Sequence, residues 1–169
     1  MIPAACVLGL IYGLLRHGRL ASIFKKKFRL SVLLFLSLGC EGLLSWRWFC
    51  DQTGGLSWYP ALRTILAVLQ YSLLLFFLFR NRFKPGMYGL MVGSLMNGLV
   101  IIANTGKMPI GPYIQHFGAE AVASIAAAPH YFLAAGGEPL LFLADLIPFW
   151  TLSWYMISLG DILISIGIF

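Results

Sequence analysis

The sequence predicts an all-α integral membrane protein. It has about five transmembrane helices, with short interfacial or re-entrant helices between helices four and five. Three observations carry this. The chain is 60% hydrophobic and only 11% charged, whereas a soluble domain carries about 25% charged residues. A chain of 169 residues can bury a core, but it cannot hide that much apolar side chain from water. Nine of its twelve basic residues form two short patches between apolar runs. Arg16, Arg19, Lys25, Lys26, Lys27 and Arg29 make one patch, and Arg80, Arg82 and Lys84 make the other.

The patches also set sidedness, because Lys and Arg concentrate in short cytoplasmic loops. Both basic loops are expected inside, with the N-terminus outside and the C-terminus cytoplasmic. The loops around Asp51, Glu120 and Glu138 then face outward. A formal charge of +6 would suggest nucleic acid on one face of a soluble fold. Here the charges flank apolar runs, so anionic lipid headgroups are the expected partner and nucleic acid is not. Positive residues follow the first apolar run instead of preceding it, unlike a secretory signal. Cys6, Cys40 and Cys50 are an odd set without close spacing, which argues against a disulfide framework or a metal knuckle. Cys50 is expected in an outward loop.

Segment one spans about Ile2 to Leu15, short against the ~20 residues of a spanning helix; Arg16 and Arg19 can snorkel and extend it. Segment two runs from Leu30 to Trp46, with Ser37, Glu41 and Ser45 four apart on one face. Trp46, Trp48 and Phe49, then Trp58 and Tyr59, form an interfacial belt around the turn 52–57. Segment three runs from Pro60 to Phe79. Pro60 suits a first helical turn, and Gln70 and Tyr71 are its polar members near mid-depth. Segment four runs from Pro85 to Asn104, with Gly89, Gly93 and Asn97 at four-residue steps. Asn104, seven beyond Asn97, returns to that face, which is expected to meet other helices.

Residues 105–148 form a structured outer connection within a single transmembrane domain, 1–169. A structureless loop of that length would be unusual. Ala119 to Ala128 predicts a short helix, and Pro139 to Ile147 a second short apolar run. Segment five is expected from Phe149 to Phe169, with Ser158, Asp161 and Ser165 on one face.

Ionisable residues inside spanning segments are functional candidates by default. Glu41, Asn97, Asn104, Lys107, His130, Glu138, Asp145 and Asp161 are the candidate lining of a polar cavity under an outer lid. Lys107 is the expected partner of Asp161, with Asn97 or Asn104 as neutral substitutes. The competing structural reading makes Asn97 interhelical glue and lets Glu41 reach the interface near Arg47. No H-E-x-x-H or paired-cysteine pattern marks a metal, and His116 with Glu120 is only a lone i,i+4 pair. No G-x-S-x-G elbow or phosphate loop marks catalysis, so no catalytic residue and no cofactor is assigned.

Pro85-Gly86 opens one helix, and Ala103-Asn104-Thr105-Gly106-Lys107-Met108-Pro109 follows it. Downstream come Phe142-Leu143-Ala144-Asp145-Leu146-Ile147-Pro148 and Ser158-Leu159-Gly160-Asp161-Ile162-Leu163-Ile164. Together these resemble an uncharacterised family of small bacterial multi-pass membrane proteins, most closely over the last half of the chain. Similar proteins tend to carry glycine at Ala144. The resemblance implies a bacterial inner-membrane location and draws attention to Asn104, Lys107, Asp145 and Asp161, but supplies no substrate. Three functions stay open: a small-solute or lipid binding or transport component, alone or as a homo-oligomer; a structural or accessory subunit beside a membrane-protein partner; and an embedded enzyme acting on lipid or an envelope precursor.

Overall fold

A computed structural model describes residues 2–15, 27–150 and 154–169. Arg16, Arg19, Lys25 and Lys26 of the first basic patch lie outside these residues. The architecture is mainly helical. Helices α1 (Ile2–Leu15), α2 (Ser31–Ser45), α4 (Tyr59–Arg80) and α5 (Met87–Ala103) reproduce the first four predicted segments within two residues. A short helix, α3 (Arg47–Thr53), follows α2 after a break at Trp46, where ψ is 106°. It replaces the first part of the expected open turn. Cys50 is buried in it, with its thiol donating to the Leu44 carbonyl at 3.3 Å. The loop expected at Cys50 is therefore a short helix, and its thiol is packed inside the protein.

Of the described helices, α4 alone is long and apolar enough to cross a membrane by length and composition. The other apolar helices are shorter, so the sequence expectation of about five spans reduces at this level to one. The bundle nonetheless turns many large apolar side chains outward, among them Leu8, Val32, Phe35, Ile65, Phe76 and Ile166.

The largest departure is the expected fifth span. Strands β3 (Ile147–Trp150) and β4 (Trp154–Ile157) pair antiparallel, and only Leu159–Ile168 is helical, as α7. A continuous apolar run does not by itself distinguish a buried strand from a helix. Upstream, β1 (Met108–Ile110) pairs in parallel with β2 (Tyr131–Leu133), and Ile110 bridges to Asp145 on its other side. Between β1 and β2 lie a 3-10 turn (Pro112–Phe117) and helix α6 (Ala119–Ala127), the latter close to its predicted extent. The second short apolar run becomes a 3-10 turn at Leu141–Leu143 leading into β3. The all-α expectation is thus corrected: among the described residues, β1 and β2 organise the connection, while β3 and β4 take up the first part of the expected fifth span.

Two contacts tie the ends and the middle of the bundle together. At one end, the Asn81 side chain accepts from the Arg29 amide and donates to the Arg29 carbonyl, both at 2.9 Å. This joins the described parts of the two basic loops. Along the bundle, α5 packs on α7 through glycine. A Cβ on Gly93 would meet the Gly160 carbonyl and lie 2.9 Å from the Ile164 nitrogen; one on Gly89 would lie 3.0 Å from the Leu163 carbonyl. Small residues allow backbones this close. Asn97 sits on the same α5 face, as its spacing predicted.

Candidate functional site

The close crossing brings Asn97 to the start of α7. Ser158 caps this helix: its hydroxyl accepts from the Asp161 amide at 3.0 Å, and the Asp161 carboxylate accepts from the Ser158 amide at 3.2 Å. This is a capping box, which satisfies helix-start donors reciprocally. Asn97 closes the ring. Its Nδ2 donates to Asp161 Oδ1 at 2.9 Å, and its Oδ1 accepts from the fully buried Ser158 hydroxyl at 2.9 Å. Gly160 makes room, since a Cβ there would run into the Asn97 amide. The neutral substitute Asn97, not Lys107, is therefore the partner of Asp161.

Beside this ring lies a cavity of ≈ 310 Å³. Five of the eight sequence candidates line it: Glu41, Asn97, His130, Asp145 and Asp161. Gln70 and Tyr71 join from α4. Gln70 Nε2 donates to Glu41 Oε2 at 2.6 Å, and Ser45 donates to Glu41 Oε1 at 3.0 Å. Tyr71 reaches the cavity against Gly98, where a Cβ would lie 2.7 Å from the ring. None of the lining residues is Lys or Arg.

Asp145 is the exceptional member. It is 5% exposed, and its Oδ1 has no hydrogen-bond partner among the described residues. Its backbone is held on both sides, by Asp145 N to the Pro109 carbonyl at 3.2 Å and Gly111 N to the Asp145 carbonyl at 2.9 Å. Burial, and then the nearby Asp161, push its carboxyl up to about 8. Burial lowers the pKa of the His130 imidazole, whose Nδ1 also has no hydrogen-bond partner among the described residues. Burial, followed by Asp145, Asp161 and Glu41, raises Tyr131 to about 12. Asp145 and Tyr131 also line a second space of ≈ 590 Å³, bounded by Glu120, Ser124 and Tyr155. They form the partition between the two.

The remaining three candidates lie elsewhere. Asn104, Lys107 and Glu138 line a separate cleft of ≈ 740 Å³ at the Tyr59 end of α4. Asn104 is a packing residue, with its Nδ2 donating to the Val100 and Pro139 carbonyls at 2.7 and 2.9 Å. Glu138 accepts from the amides of Ala135 and Gly136 at 2.6 and 2.9 Å, which lowers its pKa. The structure thus divides the eight candidates between two sites, one with carboxylates and no Lys or Arg and one that holds both signs of charge. His116 Nδ1 faces the Tyr113 carbonyl at 3.2 Å, and among the described residues no group of three or more His, Cys, Asp or Glu is placed to hold a metal.

A helical bundle closed by a stranded cap over an acidic cavity is the class of protein these features define. The chain belongs to a family of unknown function, DUF5317, whose model matches residues 25–169. It is also similar to an uncharacterized protein of Thermotoga maritima, 33% identical over 111 residues, covering 63% of this chain and 62% of the relative. The chain thus covers less than two thirds of that relative's length. No solved structure matches it.

Proposed function

We propose that the protein is a multi-pass component of the bacterial inner membrane that binds, and passes on, small cationic solutes. The carrying observation is a polar layer at one level of the bundle. Glu41 stands ten residues beyond Ser31, Gln70 ten before Arg80, and Asn97 ten beyond Met87, all counted from the basic end. Ten residues rise about 15 Å, half of a ~30 Å hydrocarbon core. Helix α7 begins at the same level and has 10 residues, so it reaches from mid-depth to one face only. Half-helices starting at the midplane are a recurring feature of transporter sites.

In this arrangement α1, α2, α4 and α5 cross, the N-terminus is outside and the C-terminus is cytoplasmic. The outward apolar side chains and the joined basic loops support it. Lys27, Arg29, Arg80, Arg82 and Lys84 then meet anionic headgroups. Irregular backbone is tolerated at depth where protein covers it, and β1 is buried along its whole length.

The cation preference follows from the lining. Three carboxyl groups with no Lys or Arg favour positive charge, Asp145 being the one that gives up its proton when a cation arrives, and the aromatic face of a tyrosine adds to it. The volume lies at the lower end of the ~300–1,000 Å³ of ligand pockets, which suits a small solute. A cation entering beside Asp145 lowers its proton affinity, so binding releases a proton toward the partition. The test is calorimetry on the full chain in neutral-lipid nanodiscs, with ethanolamine and putrescine against ethylene glycol. Amines are expected to bind with proton release, and Glu41→Gln or Asp161→Asn to weaken them about tenfold, near the worth of one charged hydrogen bond. Equal binding of the glycol, or no amine binding by the parent protein, would remove this reading.

A further inference from the structure

Arg63 plays no part in the acidic cavity, yet it is 3% exposed on the second turn of α4. Its Nη2 donates to the Gly106 carbonyl at 3.0 Å, and its Cζ lies 5.5 Å from the centre of the Tyr59 ring. Its Nε is buried without a hydrogen-bond partner among the described residues. Burying a cation is costly unless an anion or enough acceptors replace water. One carbonyl does not do this for a five-donor guanidinium.

A second cation is fixed beside it. Gly106 has φ +77°, and a Cβ there would lie 3.0 Å from both the carbonyl carbon and the carbonyl oxygen of Arg63. The turn can therefore rest directly on the α4 backbone. Thr105 before it is also left-handed, at φ 55°, a conformation that non-glycine residues adopt only where the surroundings enforce it. Lys107 follows at once and is half-buried. Burial, and then repulsion from Arg63, lower its pKa. Both cations face the ≈ 740 Å³ cleft.

The two acids on that cleft are engaged elsewhere or face solvent. Glu138 already accepts two backbone amides, and Asp51 is exposed. Among the described residues, neither cation has a carboxylate hydrogen-bonded to it.

We propose that this cleft is a binding site for a phosphate group, with Arg63 supplying a fork of donors and Lys107 a point charge. A planar guanidinium matches the oxygens of phosphate, and an ammonium beside it completes the charge. The phosphate comes either from free inorganic phosphate or from the headgroup of an anionic lipid. The site stands independently of the cation reading of the inner cavity.

The experiment uses the full chain in two preparations. In neutral-lipid nanodiscs, inorganic phosphate is titrated at constant ionic strength against chloride, reading the thermal unfolding midpoint. In detergent, native mass spectrometry counts bound phosphatidylglycerol. A rise with phosphate identifies a free anion. One additional tightly held phosphatidylglycerol without that rise identifies a headgroup. In either case Lys107→Ala is expected to weaken binding about tenfold and Arg63→Lys, which keeps the charge and loses the fork, at least threefold. Lipids held by the basic loops are unaffected by both variants and serve as the internal control. If phosphate and phosphatidylglycerol bind the parent no better than chloride and neutral lipid do, the proposal is overturned. It is equally overturned if both variants bind as the parent does.

Discussion

The inner cavity and the cleft at the Tyr59 end of α4 arrange their charges differently. The inner cavity is lined by Glu41, Asp145 and Asp161 with no lysine or arginine; the cleft holds Arg63 and Lys107 beside Asp51 and Glu138, with no acid hydrogen-bonded to either cation among the described residues. A single turn separates them, since Gly106 and Met108 line the cavity while Lys107 lines the cleft. A Lys107–Asp161 pair would have cancelled both fields. Instead Asn97, a neutral donor, satisfies Asp161. An internal ion pair would close both sites to charged ligands, while segregation leaves each one electrically open.

The most damaging way to break the comparison is to part α5 from α7, because the ring of Asn97, Ser158 and Asp161 exists only at that crossing. Gly93→Leu places a side chain where the Gly160 carbonyl and the Ile164 backbone already stand. Overpacking usually costs about 1–3 kcal/mol, and backbone obstruction puts this case at the upper end. The expected result is a large drop in the unfolding midpoint in detergent. A variant that melts with the parent would mean that the helices do not approach this closely.

A smaller effect separates the cavity's acids by protonation. Asp145 holds its proton up to about 8 in the folded protein, against 3.8 for an ordinary aspartate. Unfolding between those values releases a proton, so this group's contribution to stability is full below 3.8 and is lost as pH rises through 8. His130 acts in the opposite sense below 6.5, because its pKa is lowered. The difference between the parent and Asp145→Asn therefore isolates the aspartate. The variant is expected to gain on the parent steadily from pH 5 to pH 8, measured as thermal midpoint. Parallel pH profiles for the two proteins would place Asp145 in contact with water.

The segments of the bundle were legible because each is an apolar run bounded by charge, proline or glycine. Glu41, Asn97 and Asp161 were legible for a related reason: a polar residue repeating at helical steps in an apolar run stands out. What the pattern could not reveal was depth and company. Lys107 is the cation that the sequence favours for Asp161, but it lines the cleft on the other side of the Gly106 turn. The strands were hidden because three- or four-residue elements carry too little alternation to register against an apolar background. Arg63 was missed although the signal was present. It is a charged residue inside a predicted span, and the same rule that singled out Glu41 applies to it.

The finest test asks whether the cleft's cations are stabilising by themselves. Were Lys107 part of an internal ion pair, its removal would lower stability. As a half-buried ammonium facing a guanidinium, it is repelled and partly desolvated, and both effects lower its pKa. The folded state thus binds this proton less tightly than the unfolded chain does, so the charge is a small liability at neutral pH. Lys107→Gln, in neutral lipid without phosphate, is expected to leave the midpoint unchanged or slightly raised. Solvent screening limits the gain to about 0.5 kcal/mol. Adding phosphate is expected to reverse the order, because only the parent then has an anion to hold. A fall in the variant's midpoint before phosphate is added would show that Lys107 already has an internal partner, and the cleft would lose its claim to be an open site.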